Sequence, residues 1–160
     1  MMLDKLHLIR FLNEMKILAP KTHLMSEYIP QLSFPFIVKP RQGRGSRGVQ
    51  VINNKEQYSA YRASITGHFT QYILQEKAVG IEYTVLMAAD TKGELKAVVP
   101  VKVYQKKGIT ILAETENNKE VIQTCQKIHS QLSPMGCYNI QLILTSKGTV
   151  YPFEINPRVS

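Results

Sequence analysis

The stretch TVYPFEINPRVS, residues 149–160, says more about this chain than any other segment of its 160 residues. Thr149 to Ile155 reads as a strand, on which Glu154 and Asn156 lie two apart and therefore on one face, with Arg158 just beyond Pro157. A carboxylate beside an amide oxygen makes a pair of hard ligands for Mg²⁺, an ion that takes one or two protein carboxylates together with phosphate oxygens. An adjacent guanidinium would steady the charge of a transferring phosphoryl group. The segment Tyr138 to Leu144 is expected to pair with this strand through the turn Ser146-Lys147-Gly148, so that Gln141 offers a further oxygen across the ladder. A strand end carrying ordinary surface residues is the plainer alternative. It accounts less well for polar residues that all share one face, framed by Phe153 and Ile155.

Nearer the N-terminus stands FPFIVKPRQGRGSRGV, residues 34–49. Phe36 to Lys39 and Val49 to Ile52 read as two strands of a hairpin whose tip is RQGRGSRG. Gly43, Gly45 and Gly48 let the backbone turn its N–H groups toward a ligand, and the interleaved arginines add positive charge, a combination suited to phosphate. No Gly-Lys-Ser/Thr closes the loop and a strand follows it, so neither the Walker pattern nor the dinucleotide fingerprint fits. Taken alone, a glycine flap over phosphates and a solvated hairpin tip are equally good readings. A third segment, YILQEKAVGIEYTV at 72–85, joins an apolar strand to a polar hinge. Backbone groups from Gln75 to Ala78 can meet an adenine edge and Glu82 can accept from ribose hydroxyls, although structural hinges look the same.

Composition sets the frame. Twenty Lys and Arg against 12 Asp and Glu leave a net charge of +8, which asks for an anionic partner. Lys39, Arg41, Arg44 and Arg47 put four cations into nine residues without an acid, which fits a local anion pocket better than a basic stripe. Aromatics make up 8% of the chain, with no Trp, and are not interleaved with that cluster, which disfavours a nucleic-acid binder. Cys125 and Cys137 lack metal spacing and read as buried reduced thiols in a cytoplasmic protein; the four histidines are scattered. Apolar runs such as Thr84 to Ala89 fall far short of the ~20 residues that span a bilayer. Asp4, Lys5, His7 and Arg10 stand where a signal peptide would need apolar residues, so none is expected.

The rest of the chain divides without repeats or linkers. A helix capped by Asp4 should carry Leu8, Phe11, Leu12 and Met15 on one face and end before Ala19-Pro20. Asn53 or Asn54 caps a helix to about Ser64, and a strand follows at Tyr72 to Gln75. Glu82 to Ala89 and Leu95 to Val103 alternate as strands across a turn at Asp90 to Gly93. A helix from about Asn118 to Leu132 presents Val121, Ile122, Cys125, Ile128 and Leu132 to a sheet. Local helices and mostly antiparallel strands in this order predict an α+β fold.

Taken together, DKLHLIRFL, FPFIVKPRQGRGSRGV, LQEKAVGIEYTV, YNIQ and FEINPRVS resemble, in order and across nearly all 160 residues, the ATP-grasp superfamily. The likeness is nearest to the ATP-binding domain of carbamoyl phosphate synthase large chains and related carboxylate-amine ligases. It implies an ATP-grasp fold of two α+β lobes with nucleotide between them: an N-terminal helix at 1–19, a lid lobe at 20–78 with the flap, and a core lobe at 79–160 with the metal signature. By the same resemblance Lys5 and Lys39 reach the phosphates, and Gly43, Gly45, Ser46 and Gly48 form the flap. Glu76 and Ala78 meet adenine, while Glu82 meets ribose. Gln141, Glu154 and Asn156 hold Mg²⁺ (or Mn²⁺), and Asn156 with Arg158 serves the transferring phosphate. Two differences from the family pattern stand out. The helix before the flap strand is reduced to Ser26 to Leu32, and Tyr104 to Thr110 offers only Lys106 and Lys107 where a substrate-loop base is usual.

The implied reaction is ATP-dependent activation of a small carboxylate to an acylphosphate that an amine then attacks, with two metal ions bridging the phosphates. The alternative is a non-catalytic nucleotide-binding module that needs further segments or a partner chain. Neither reading involves nucleic acid or a membrane.

Overall fold

In a computed structural model the described residues are 4–27, 32–43, 47–65, 67–107 and 109–158. They form an α+β fold of two antiparallel sheets. The smaller sheet has the order β1-β4-β2-β3, from β1 (Thr22–Leu24), β2 (Phe36–Pro40), β3 (Gln50–Ile52) and β4 (Tyr72–Glu76). The larger has the order β7-β6-β5-β8-β9, from β5 (Ile81–Ala89), β6 (Leu95–Lys107), β7 (Ile109–Thr115), β8 (Gly136–Leu144) and β9 (Val150–Asn156). Helix α1 is Lys5–Glu14, α2 is Lys55–Ser64 and α3 is Lys119–Leu132.

Each helix starts where its sequence satisfies the first free N–H groups. Asp4 Oδ1 accepts from the N–H of Leu6 and His7 at 3.0 and 3.2 Å, Asn54 accepts from Gln57 N–H, and Asn118 accepts from Val121 N–H at 3.1 Å. The spacing Val121, Cys125, Ile128 puts one α3 stripe against the larger sheet, and Leu8, Ile9 and Leu12 do the same for α1. On the sheet, Tyr83, Val85 and Met87 of β5 and Tyr138, Ile140 and Leu142 of β8 alternate inward to meet both stripes. The smaller sheet buries Phe36, Val38, Ile52 and Leu74 with Met25 on its far face, under Tyr58 and Tyr61 of α2. Its other face, with Ile37, Lys39 and Gln75, is thereby left to look across at the larger sheet.

Several elements differ from the sequence reading. β6 runs on to Lys107, and β7 is a strand that the pattern does not announce, because an edge strand exposing both Ile111 and Leu112 has no buried face to alternate against. β1 is only three residues long and exists through pairing of Thr22, His23 and Leu24 with Gln75, Leu74 and Ile73. The reduced helix expected at Ser26 to Leu32 does not appear in the described part: Met25 and Ser26 form a turn, Glu27 a bend, Leu32 belongs to no element, and 28–31 lie outside the described residues. Cys125 is buried as expected, but Cys137, at the start of β8, is exposed. His129 is taken up in packing. Its Nε2 donates to the carbonyl of Gly93 at 2.9 Å, so Nδ1 accepts from the Tyr138 hydroxyl at 2.8 Å, tying α3 to β8 and to the β5–β6 turn.

Gly80 marks the crossing from one sheet to the other. A Cβ there would lie 2.2 Å from the carbonyl oxygen of Leu144, a backbone atom that the Ile81–Leu144 pairing holds in place. Gly80→Ala is therefore expected to cost about 3 kcal/mol, read as a lower denaturation midpoint. An unchanged midpoint would mean that β5 and β8 do not approach so closely.

Candidate functional site

The two sheets face one another across a cleft of about 260 Å³. From the smaller sheet come Ile37, Lys39, Gln75 and Glu76, with Val49 and Ala78 just beyond its strands; from the larger come Glu82, Lys106, Gln141, Ile143, Phe153 and Glu154; Lys5 enters from α1. Phe153 and Glu154 thus meet Ile37, Lys39 and Val49 in space, as neither stretch of sequence could specify alone.

The acidic end is built by cross-strand pairing. Gln141 stands directly opposite Glu154, and Asn139 opposite Asn156. Between the two pairs and the rest of the ladder one extra residue, Phe153, bulges out of β9. The bulge explains why Phe153 and Glu154, neighbours in sequence, both line the cleft rather than facing opposite sides. Asn156 is buried and does not line the cleft; its Nδ2 donates to Asn139 Oδ1 at 3.2 Å, which leaves its own Oδ1 as the acceptor. Asn139 Nδ2 in turn donates to the carbonyl of Arg158 at 2.9 Å, and Arg158 N–H donates to Asn156 O at 2.8 Å. Arg158 itself is exposed and lies outside the cleft lining. The sequence reading does not single out Asn139, although its place two before Gln141 puts it on the same face.

The basic end gathers Lys5, Lys39, Lys106 and Arg47, four cations against the three carboxylates Glu76, Glu82 and Glu154. Lys39 is 5% exposed. Burial pushes its amine down, the Glu154 carboxylate pulls it part of the way back, and Lys5 and Lys106 push it down again, leaving it at about 8. Its Nζ lies 5.2 Å from the centroid of the Phe153 ring. Lys5 Nζ donates to Gly43 O at 3.3 Å, which ties the start of α1 to the root of the glycine loop. Gly43 and Gly48 have positive φ, 145° and 71°, consistent with the turn their sequence suggests. Gly48 does not line the cleft, and Gly45 and Ser46 lie outside the described residues.

Lys106 reaches the cleft through a register shift. Tyr104 is the extra residue in β6 where its pairing with β7 slips, so alternation flips and Lys106 turns inward to pair with Glu82. No sequence pattern predicts such a bulge. At the hinge, Glu76 N–H donates to Lys21 O at 2.8 Å and a Glu76 carboxylate oxygen accepts from Lys21 N–H at 3.1 Å, while Ala78 N–H turns back on Glu76 O at 3.2 Å. The sequence points to Gln75 only through its backbone, yet its side chain is 2% exposed and lines the cleft. Thr22 donates its hydroxyl to Pro20 O at 2.8 Å and so must accept from Gln75, also at 2.8 Å, which fixes Nε2 toward Thr22 and leaves Oε1 as an acceptor.

For a divalent cation the donor set is one carboxylate, Glu154, with the amide oxygens of Gln141 and Asn156 beside it; no group of three or more His, Cys, Asp or Glu side chains that could hold a metal occurs among the described residues. Hard oxygens of this kind fit Mg²⁺ where phosphate oxygens complete the shell. Among the described residues no helix is long and apolar enough to cross a membrane.

Two antiparallel sheets facing across such a cleft, with Gly43 at one rim and a carboxylate-amide strand pair at the other, fit the ATP-grasp architecture, and the chain belongs to the ATP-grasp domain family, whose model matches residues 2–160. It is 30% identical over 156 residues to the D-alanine–D-alanine ligase of Petrotoga mobilis, covering 88% of this chain and 52% of that protein. It is 25% identical over 169 residues to the arginine-specific carbamoyl phosphate synthase large chain of Bacillus subtilis, covering 93% of this chain and 16% of that protein. In fold it is similar to the ADP complex of an N5-carboxyaminoimidazole ribonucleotide synthetase, with a TM-score of 0.85 at 17% identity over 99% of this chain and 45% of that one. The chain spans about half the length of the D-alanine–D-alanine ligases it matches, at 52% and 50%.

Proposed function

We propose that this domain binds ATP with Mg²⁺ (or Mn²⁺) and belongs to a cytoplasmic ligase that activates a small carboxylate as its acylphosphate for attack by an amine. The observation that carries the reading is the meeting, in one cleft, of Lys5 and Lys39 with the Gln141–Glu154 pair. In this reading Lys39, Lys5 and Arg47 bind the phosphates from the side of the smaller sheet and α1. Gly43 lines the cleft beside them, and the flap role of Gly45, Ser46 and Gly48 rests on the family resemblance alone. Glu76, Ala78 and the Oε1 of Gln75 take the adenine edge, where an acceptor suits the exocyclic amine and opposes the oxo group of guanine. Glu82 takes the ribose hydroxyls, sharing its carboxylate with Lys106. Gln141, Glu154 and Asn156 would hold the metal ion, which when bound offsets negative charge on the phosphates. Arg158 would steady the phosphoryl group as a carboxylate oxygen attacks the γ-phosphorus and the bond to ADP breaks. The alternative reading is a domain that binds nucleotide without turnover, the acceptor site being completed by a partner chain or further segments.

Titration calorimetry with ATP tests this, with and without Mg²⁺ and with GTP as comparison. Binding that strengthens with Mg²⁺ and favours ATP is expected. A bound phosphate favours the protonated amine of Lys39, whose proton leaves at about 8 in the free protein, so affinity should fall as pH rises through that value. A charge-assisted hydrogen bond is worth roughly 1.5–3 kcal/mol, so the fall should approach about ten-fold or more by pH 9–10. No heat and no thermal shift at millimolar nucleotide, in a sample shown by circular dichroism to be folded, would refute nucleotide binding. ADP release with a carboxylate present then separates an active ligase domain from a binding module.

A further inference from the structure

The lysine amines of the cleft are not equivalent. Lys5 Nζ is committed to the carbonyl of Gly43, and Lys106 Nζ to the carboxylate of Glu82. Lys39 Nζ has no hydrogen bond and no ion pair among the described residues; it faces the Phe153 ring, and Glu154 acts on it only through space. It nevertheless lines the cleft, with Lys5, Arg47 and Lys106 around the same space. An uncommitted amine thus stands within a ring of cations that would hold the phosphate end of a small anion against it.

We propose that Lys39 is a covalent modification site, acylated by small acyl phosphates that enter the cleft when no nucleotide covers it. The inference rests on the proposed function only in taking the cleft to bind phosphate. The lone pair of the neutral amine attacks the carbonyl carbon, an amide C–N bond forms, and the C–O bond to phosphate breaks. Inorganic phosphate departs with that electron pair and takes up the proton the nitrogen loses, so no oxidant or further reactant is needed. The product has one cation fewer in the cleft, so a ligase that leaked its own acylphosphate would weaken its next binding of nucleotide.

Burial supports the selectivity. With its amine lowered to about 8, about a quarter of Lys39 is neutral at pH 7.5, against about one in a thousand for an ordinary lysine. A less basic amine is also a weaker nucleophile, by roughly ten- to twenty-fold over this range if amines follow the slope known for thiols. The advantage that remains is about ten- to twenty-five-fold before any gain from anchoring the phosphate.

The test is site-resolved mass spectrometry of the chain treated with acetyl phosphate at pH 7.5. Lys39 is expected to be acetylated at least ten-fold faster than exposed lysines such as Lys55, Lys119 and Lys147, with ATP or inorganic phosphate suppressing the difference. N-acetylimidazole, which has no phosphate to anchor, should favour Lys39 less. Lys39→Arg should abolish the fast site without passing it to Lys5 or Lys106. The proposal is overturned if Lys39 reacts no faster than the exposed lysines, if Lys5 is the fast site, or if both reagents show the same preference. Calorimetry with ATP on the untreated sample keeps the outcomes apart: a chain that binds ATP but spares Lys39 refutes the acylation alone.

Discussion

Glu154→Gln is expected to lower ATP affinity in the presence of Mg²⁺ by about ten- to a hundred-fold while affinity without metal holds or rises. Glu154 is the carboxylate of the paired strands, opposite Gln141, and the change to Gln keeps its shape while removing the charge that a divalent cation needs. Loss of a charged contact of this kind is worth roughly 1.5–3 kcal/mol. Without metal the same carboxylate repels a triphosphate, so its removal should not hurt. The two directions separate a metal ligand from a residue that merely shapes the cleft. Gln141→Ala and Asn156→Ala should shift the metal-dependent part the same way, the latter more weakly because Asn156 stands outside the cleft lining. Equal losses with and without Mg²⁺ for Glu154→Gln would remove it from the metal site. Stability should fall modestly, because the change breaks no hydrogen bond but removes the negative charge that supports the buried Lys39 amine.

Lys39→Met should make the free protein more stable and a poor binder of ATP. Burial lowers the Lys39 amine from 10.5 to about 8, so at neutral pH the folded state holds a proton less tightly than the unfolded chain does. By linkage that difference costs about 3 kcal/mol below pH 8. Between about pH 8 and 10.5 the unfolded chain binds more protons than the folded one, so this contribution makes stability rise with pH across that window. Methionine fills a similar volume without charge, and its advantage should be largest at pH 7 and vanish near pH 10–11. In thermal unfolding at pH 7 the gain should amount to several degrees, at roughly 2–4 °C per kcal/mol for a chain of this size. A gap that does not narrow with pH would show that packing rather than ionisation sets the difference. Such a trade of stability for binding is common where a charged group is held in a dry site.

Local features were legible because they depend on neighbours in the chain. Asp4, Asn54 and Asn118 cap the helices that follow them, and the turn at Asp90 to Gly93 is held by Asp90 Oδ1 accepting from Lys92 and Glu94 N–H, both at 2.9 Å. Alternation put Glu154 and Asn156 on one face and Gln141 across from them, since a strand's faces repeat every two residues. The same pattern could not reveal β1, which exists only through its pairing with β4, nor β7, whose edge position leaves no buried face.

What the sequence by itself determined, then, is which residue types stand together on each element: the glycine hairpin with Lys39, the acid-amide ladder, the hinge. Tertiary structure decided which of them share a cleft and in what state. Lys5, Lys39 and Glu154 meet because the two sheets face one another, bulges at Tyr104 and Phe153 turn Lys106 and Phe153 inward, and Thr22, on the neighbouring strand but far away in sequence, orients Gln75. The physical reason is that capping and alternation are set by bonds between near neighbours in the chain, whereas desolvation of the Lys39 amine, the commitment of Lys5 and Lys106 and the register of an edge strand depend on atoms far away in sequence, brought near only by folding.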